Sequence, residues 1–137
     1  MKTKEYLQQA YYLDQAINDN LNTLRALKIK AKALSNLDIS KEAVQGRKRQ
    51  NRIADTIPQI IDLEEQIKAK IEEQIKVKQD IEKSISKIKD IKSRTVLTKR
   101  YMHFKPWEQI AEDLNKSLSR IFDLHGKGIK SITNSSK

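Results

Sequence analysis

Two histidines and several paired carboxylates are the side chains from which acid–base or metal chemistry would have to be built. His103 and His125 stand 22 residues apart in a chain with no cysteine, so neither has a second ligand or a nucleophile at usable spacing. Glu64-Glu65 and Glu72-Glu73 fall on the polar side of a helical repeat and read as solvated charges. No glycine-rich phosphate loop, nucleophile elbow or His-Glu-x-x-His run occurs. The expectation is a non-enzyme with no cofactor and no metal. Recognition of a polyanion is the chemistry that the residues do support. The net charge is +10, and it is unevenly spread. Residues 1–58 carry 11 Lys and Arg against 6 Asp and Glu, residues 59–92 carry 8 of each, and residues 93–137 carry 9 against 4. A basic excess draws phosphates by releasing their counterions.

The C-terminal excess coincides with a run of short helical signals, Thr95 to Ile129, that reads as helix, turn, helix, turn, helix. Leu97, Arg100 and Tyr101 mark the first helix. Pro106 opens the second, whose Ile110, Ala111 and Leu114 share a face while Glu108, Glu112 and Asp113 turn outward. Asn115-Lys116 breaks the chain. Ser117 stands at the N-cap of a third helix, able to accept a backbone N–H from Ser119 or Arg120. Ile121 and Leu124 are its expected buried residues, with Ile129 joining them if the helix lasts that far. A helix-turn-helix of this layout presents its last helix to the major groove. Leu118, Ser119, Phe122 and Asp123 are the candidates for base edges. Phe122 suits a thymine methyl or, alternatively, the core, and Asp123 suits cytosine N4. Lys99, Arg100, Lys105, Lys116, Arg120 and Lys127 are the candidates for phosphates. Trp107 is read as packing against the first helix or, alternatively, as stacking on a base. Gly126 and Gly128 each cost a helix about 1 kcal/mol relative to alanine, so the third helix is expected to fray or end near His125, leaving residues 131–137 as a polar tail.

Leu97, Arg100-Tyr101, Trp107-Glu108-Gln109-Ile110-Ala111-Glu112, Leu114, Ser117, Arg120-Ile121 and Leu124, in this order, resemble the region-four helix-turn-helix of bacterial sigma factors. The likeness is closer to phage late-transcription regulators of the RinA, ArpU and LtrC type, and it covers about a third of the chain. A looser similarity runs upstream from Arg52-Ile53-Ala54-Asp55 through Ile61-Asp62-Leu63-Glu64. The resemblance implies a transcription regulator that binds duplex DNA. It does not carry over a sigma promoter preference, because Leu, Ser, Phe and Asp stand where sigma factors often place Arg, Glu and Gln.

The rest of the chain must position this unit. Charged residues make up 34% of the sequence and aromatics 5%, with three glycines and two prolines. That composition favours long helices over a broad core or compact β-structure. Tyr6, Ala10, Leu13, Ile17, Leu24, Leu27, Ala31 and Leu34 trace one apolar stripe. Asn20 interrupts it, either fixing register as a buried polar residue does or lying at a wet edge. A second stripe runs through Ile60, Leu63, Ile67, Ile71, Ile75, Ile81, Ile85 and Ile88, along a helix expected to continue to Lys92. Its steps of four at 67, 71 and 75 suit a hairpin better than a parallel zipper. Glu64–Lys68 and Glu72–Lys76 are spaced for ion pairs within that helix. Thr56-Ile57-Pro58-Gln59 reads as a capping box that starts the helix; alternatively, a helix starts near Arg49 and kinks at Pro58. Turn formers at Ser35-Asn36 and Asp38 lie between the stripes. Arg47, Lys48, Arg49 and Arg52 there form a possible patch for an anionic partner, or else a solvated loop.

The expected fold is therefore all-α. A long antiparallel, coiled-coil-like hairpin over residues 1–92, with a basic connection near 35–58, precedes a helix-turn-helix over 93–130. The expected partners are duplex DNA, a second copy in a homodimer, and RNA polymerase or another transcription regulator. No membrane is expected, since no apolar run approaches the roughly 20 residues that span a bilayer. The expected location is the cytoplasm. A different class of function is also compatible: a coiled-coil protein that modulates or inhibits a regulator without specific DNA binding of its own. A phage DNA-packaging subunit that joins a helix-turn-helix to oligomerising helices is a third.

Overall fold

The computed structural model describes residues 2–35 and 43–135, with the backbone alone for 43–50. The turn expected at Asn36 and Asp38, and the side chains of Arg47, Lys48 and Arg49, lie outside the described residues. Every element is helical: α1 Thr3–Ser35, α2 Ala43–Ser86, α3 Ile91–Leu97, a π-helical turn Thr98–Met102, α4 Trp107–Leu114 and α5 Leu118–Ser135. The fold is all-α. No helix of the described residues is long and apolar enough to cross a membrane. The chain divides into two compact units, one of residues 15–72 and one of residues 1–14 with 73–137.

In the unit of residues 15–72, Ile17 and Leu24 of α1 pack against Ile67 of α2, with Ile60 and Leu63 half-buried beside them. Asn20 lies within this stripe, and its buried Nδ2 has no hydrogen-bond partner among the described residues. Thr56 does not cap a helix. It sits inside α2, buried, and its hydroxyl donates to the Arg52 carbonyl at 2.7 Å, while Gln59 Nε2 donates to the Asp55 carbonyl at 3.2 Å. α2 thus begins well before the expected capping box and carries Pro58 internally. Pro58 has no N–H for the carbonyl four residues back. Side chains bonding to the backbone on either side of it belong to a helix that continues through the proline.

The apolar seam of α2 also differs from the expected one. Ile71 is 40% exposed and Ile75 52% exposed. The buried and half-buried positions step instead through 56, 60, 63, 67, 70, 74, 77 and 81, alternating four and three as a heptad does. Polar Lys70 and Gln74 occupy seam positions, so isoleucine content is a poor guide to this face. Among the described residues neither Glu64 with Lys68 nor Glu72 with Lys76 closes into an ion pair, whereas Lys99 and Lys105 both pair with Asp113.

In the other unit, α1 and α2 run antiparallel. Tyr6 Oη lies 3.3 Å from Ser84 Oγ, and Gln74 Nε2 donates to the Ala10 carbonyl at 3.2 Å and to Asp14 Oδ1 at 3.4 Å. Leu7, Ala10, Ile81, Ile85 and Ile88 join Leu97, Tyr101 and Ile132 in one core. α2 stops at Ser86 rather than reaching Lys92, because Asp90 starts a new helix. Its Oδ1 accepts the Lys92 N–H, its Oδ2 accepts the Ser93 hydroxyl at 2.8 Å, and these bonds hold its carboxyl below the usual range. A second core of Val96, Ile110, Ile121 and Leu124 joins α3, α4 and α5. Asn115 ends α4 in the left-handed region, φ 54°, a conformation that asparagine tolerates better than most residues.

The third helix of this unit outlasts the expected fraying near His125. α5 continues through both glycines to Ser135, so residues 131–135 are helix rather than polar tail, and Ile132 is buried in the first core. Gly128 is buried against α3, where an added Cβ would come within 2.6 Å of Leu97 Cδ1. Gly126 faces open space, with nothing within 4 Å of such a Cβ. Two alanine substitutions should therefore diverge in thermal melts. Gly126→Ala should raise stability by roughly 0.5–1 kcal/mol through helix propensity alone. Gly128→Ala should lower it, because overpacking a filled core costs about 1–3 kcal/mol and exceeds that gain. Equal shifts of the same sign would refute the close packing at Gly128.

Candidate nucleic-acid interface

Ser117 Oγ accepts the Arg120 N–H at 3.1 Å, and this cap opens α5. Ile121, Leu124, His125, Gly128 and Ile132 form the buried side of the helix. At 100° per residue the opposite side carries Ser119, Asp123, Gly126 and Lys130, flanked by Arg120 and Lys127. All six are exposed. The structure thus brings Ser119, Arg120, Asp123 and Lys127, expected from the sequence, onto one face. Gly126 and Lys130 belong to it as well. Sequence reasoning missed them by ending the helix too early. The spacing of Ile121, Leu124, Gly128 and Ile132 was the signal that could have found them.

Leu118 and Phe122 lie to one side of this face, 40% and 48% exposed. Phe122 is neither free nor core: its ring meets Trp107 edge-on at 5.2 Å. Trp107 is half-buried, bounded also by His125 at 4.9 Å and by the Arg100 guanidinium 4.4 Å above its ring. Packing therefore occupies the tryptophan. Asp113, at the outer side of α4, gathers cations: Lys105 Nζ lies 2.7 Å and Lys99 Nζ 3.5 Å from its Oδ2, and Gln109 donates to Oδ1 at 2.8 Å. Hydrogen bonds from Lys105 and Gln109 hold its carboxyl down at about 2.

This network corrects part of the phosphate set. Lys99 and Lys105 are paired with Asp113, and Arg100 stacks on Trp107 while donating to the Lys105 carbonyl at 3.0 Å. Their charges serve the turn before α4 first. Lys116, just before α5, and Arg120, Lys127 and Lys130 along it make no such ion pair among the described residues. Arg52, of the possible anionic-partner patch, is exposed on α2 in the other unit.

Of the two histidines, His103 is exposed and His125 is buried in the middle of α5. Tyr101 Oη lies 2.6 Å from His125 Nε2, a bond that either group can donate according to the tautomer. Burial, with Lys4 and Arg100 nearby, pushes His125 down to about 4, and burial raises the Tyr101 phenol. The unfolded chain takes up the imidazole proton near 6.5 and the folded protein only near 4. Stability from this group is therefore full above pH 6.5 and declines as the pH falls toward 4. Melting temperature should drop across that window, and His125→Gln should flatten the drop there while leaving the further loss below pH 4 that Asp113 contributes. An unchanged slope in the variant would show that another group carries the acid sensitivity.

No curated protein and no solved structure matches the chain. Residues 33–133, which take in the end of α1, all of α2, α3 and α4, and α5 as far as Thr133, match the family model described as "Protein of unknown function (DUF1492)". The chain belongs to that family.

Proposed function

We propose that this protein is a phage- or mobile-element-encoded transcription regulator. It binds duplex DNA through α3, α4 and α5, and its long helices contact a second copy, RNA polymerase or another regulator. The observation that carries the reading is the exposed face of α5. A serine-capped helix sits across two packed helices and displays Arg120, Lys127 and Lys130 with one carboxylate, Asp123, over about three turns. Gly126, with open space around it, lets the backbone of that face come close to a surface. The resemblance of the segment to the RinA, ArpU and LtrC regulators supports the same assignment. Lys116, Arg120, Lys127 and Lys130 would meet phosphates, and Ser119 and Asp123 would meet base edges. Cytoplasmic location follows from this role.

A second reading, an interaction protein that modulates a regulator without specific DNA binding, is favoured by one observation. Lys99, Arg100 and Lys105 are engaged within the protein, which reduces the phosphate contacts available.

Binding of the intact protein to genomic fragments, with the bound pool sequenced, separates the two. The regulator reading expects enrichment of discrete sites and an affinity that falls steeply with salt. Arg120→Ala should weaken binding to all sequences and reduce the salt slope by about one. Asp123→Ala should change site preference more than strength, with a discrimination change on the order of 1–3 kcal/mol at one base pair. Neither should lower the melting temperature appreciably, since both side chains are exposed. No enrichment over scrambled duplex at moderate salt would remove the regulator reading.

A further inference from the structure

The exposed side of α2 carries a pattern that its buried seam does not require. Ile61, Glu64, Lys68 and Ile71 fall within about 80° of arc on the helix, roughly a quarter turn from buried Ile67 and Thr56. All four are exposed, and Ile61 and Ile71 rank among the largest exposed apolar groups of the chain. Their order is a palindrome about position 66: Ile61 mirrors Ile71, and Glu64 mirrors Lys68. In the sequence the same symmetry extends outward to Ile57 and Ile75. An apolar groove lined by Leu24, Glu64, Ile67, Lys68, Ile71 and Glu72 flanks one end of the set.

We propose that this face binds a second copy of the chain, the two α2 helices antiparallel about a twofold axis level with residue 66. Rotation by 180° sets Ile61 of each copy against Ile71 of the other, where the groove beside Ile71 receives it. It also sets Glu64 against Lys68 twice, so opposite charges meet at the axis. A parallel pairing in register would instead oppose Glu64 to Glu64 and Lys68 to Lys68, and like charges across an interface suppress the wrong arrangement. A closed twofold contact is self-complementary, which a palindromic face satisfies by itself. Neither Glu64 nor Lys68 has an ion-pair partner among the described residues, so both charges are available to the second copy. The proposal deepens the part of the preceding reading that gives the long helices to an assembly; it needs none of the DNA part.

The test is made on the full chain without DNA. The chain has no cysteine, so Ile61→Cys and Ile71→Cys are prepared as separate proteins, mixed and oxidised. The mixture should yield a covalent dimer and neither protein alone should, because in the proposed register each cysteine lies about 15 Å from its own copy across the axis. A disulfide needs Cα atoms about 4.4–6.8 Å apart. In sedimentation, Lys68→Glu should raise the dimer dissociation constant roughly tenfold or more by placing four carboxylates at the axis. Adding Glu64→Lys should restore it. Circular dichroism should be unchanged in all variants, since every substituted side chain is exposed. A disulfide in either protein alone, no disulfide in the mixture, or failure of the charge swap to rescue would each overturn the proposal. A wild-type chain that stays monomeric at high concentration would overturn it in favour of a different partner. Loss of DNA binding in the fragment experiment would leave it standing.

Discussion

The contact of Leu97 with Gly128 fixes the C-terminal unit. Leu97 is fully buried, and a Cβ at residue 128 would come within 2.6 Å of its Cδ1, so glycine there lets α5 lie this close to α3 without moving that side chain. That approach orients α5 so that Ile121 and Leu124 enter the core with Val96 and Ile110, while Ile132 reaches the separate core of Leu7, Ala10, Ile81 and Ile85. One helix is thereby held in two cores along its length. Its remaining side, with Ser119, Asp123, Gly126 and Lys130, is exposed. The Tyr101–His125 bond lies beside the same contact and satisfies the polar atoms that this arrangement buries.

Charge is organised around that packing rather than spread for solubility. Asp113 collects Lys99 and Lys105, and Arg100 caps Trp107. These interactions tie the turn containing Phe104, which takes a positive φ of 56° that a phenylalanine adopts only under constraint, to α4. The cations nearest the turn are thus committed to shape. On α5, Arg120 and Lys130 make no ion pair among the described residues, while the Lys127 charge lies near enough to Asp90 to help hold its carboxyl down. The separation sets the charges engaged in the turn apart from those displayed on α5, in a chain where lysine is abundant everywhere.

Much of the C-terminal unit was legible in the sequence because each of its signals is local. Pro106, Asn115 and Ser117 punctuate α4 and α5 through backbone chemistry that needs no tertiary partner, and Ile110, Ile121 and Leu124 repeat at helical spacing. The length of α5 was not legible, because helix propensity counts a glycine as a cost without knowing that Leu97 waits opposite one of them. The end of α2 was missed for a related reason. The isoleucine repeat carries on toward Ile88, and the Asp90–Ser93 cap that interrupts it is a short polar signal. For Thr56 the local rule pointed the wrong way: Thr-x-x-Gln with a proline is the pattern of a helix start, yet here it serves the interior of a helix. The committed charges at Asp113 had no sequence signal, since Lys99 and Lys105 reach it only through the folded turn.

The α2 seam shows most clearly what periodicity can and cannot decide. Isoleucine at 67, 71 and 75 reads as one stripe, but successive steps of four advance only 40° each, so three such residues turn about 80° across the helix surface. A face that leaves the partner helix this quickly cannot be the same face that meets it. The buried heptad takes Gln74 instead and satisfies its amide with the Ala10 carbonyl and Asp14. A polar residue in the seam with isoleucines outside it is unfavourable for an isolated hairpin, which would gain about 1.5–3 kcal/mol for each isoleucine moved from water into a core. The arrangement becomes favourable when α2 has two apolar duties a quarter turn apart, one toward α1 and one toward a partner outside the chain. Two such faces on one helix are the geometry of a bundle, and a hairpin supplies half of it.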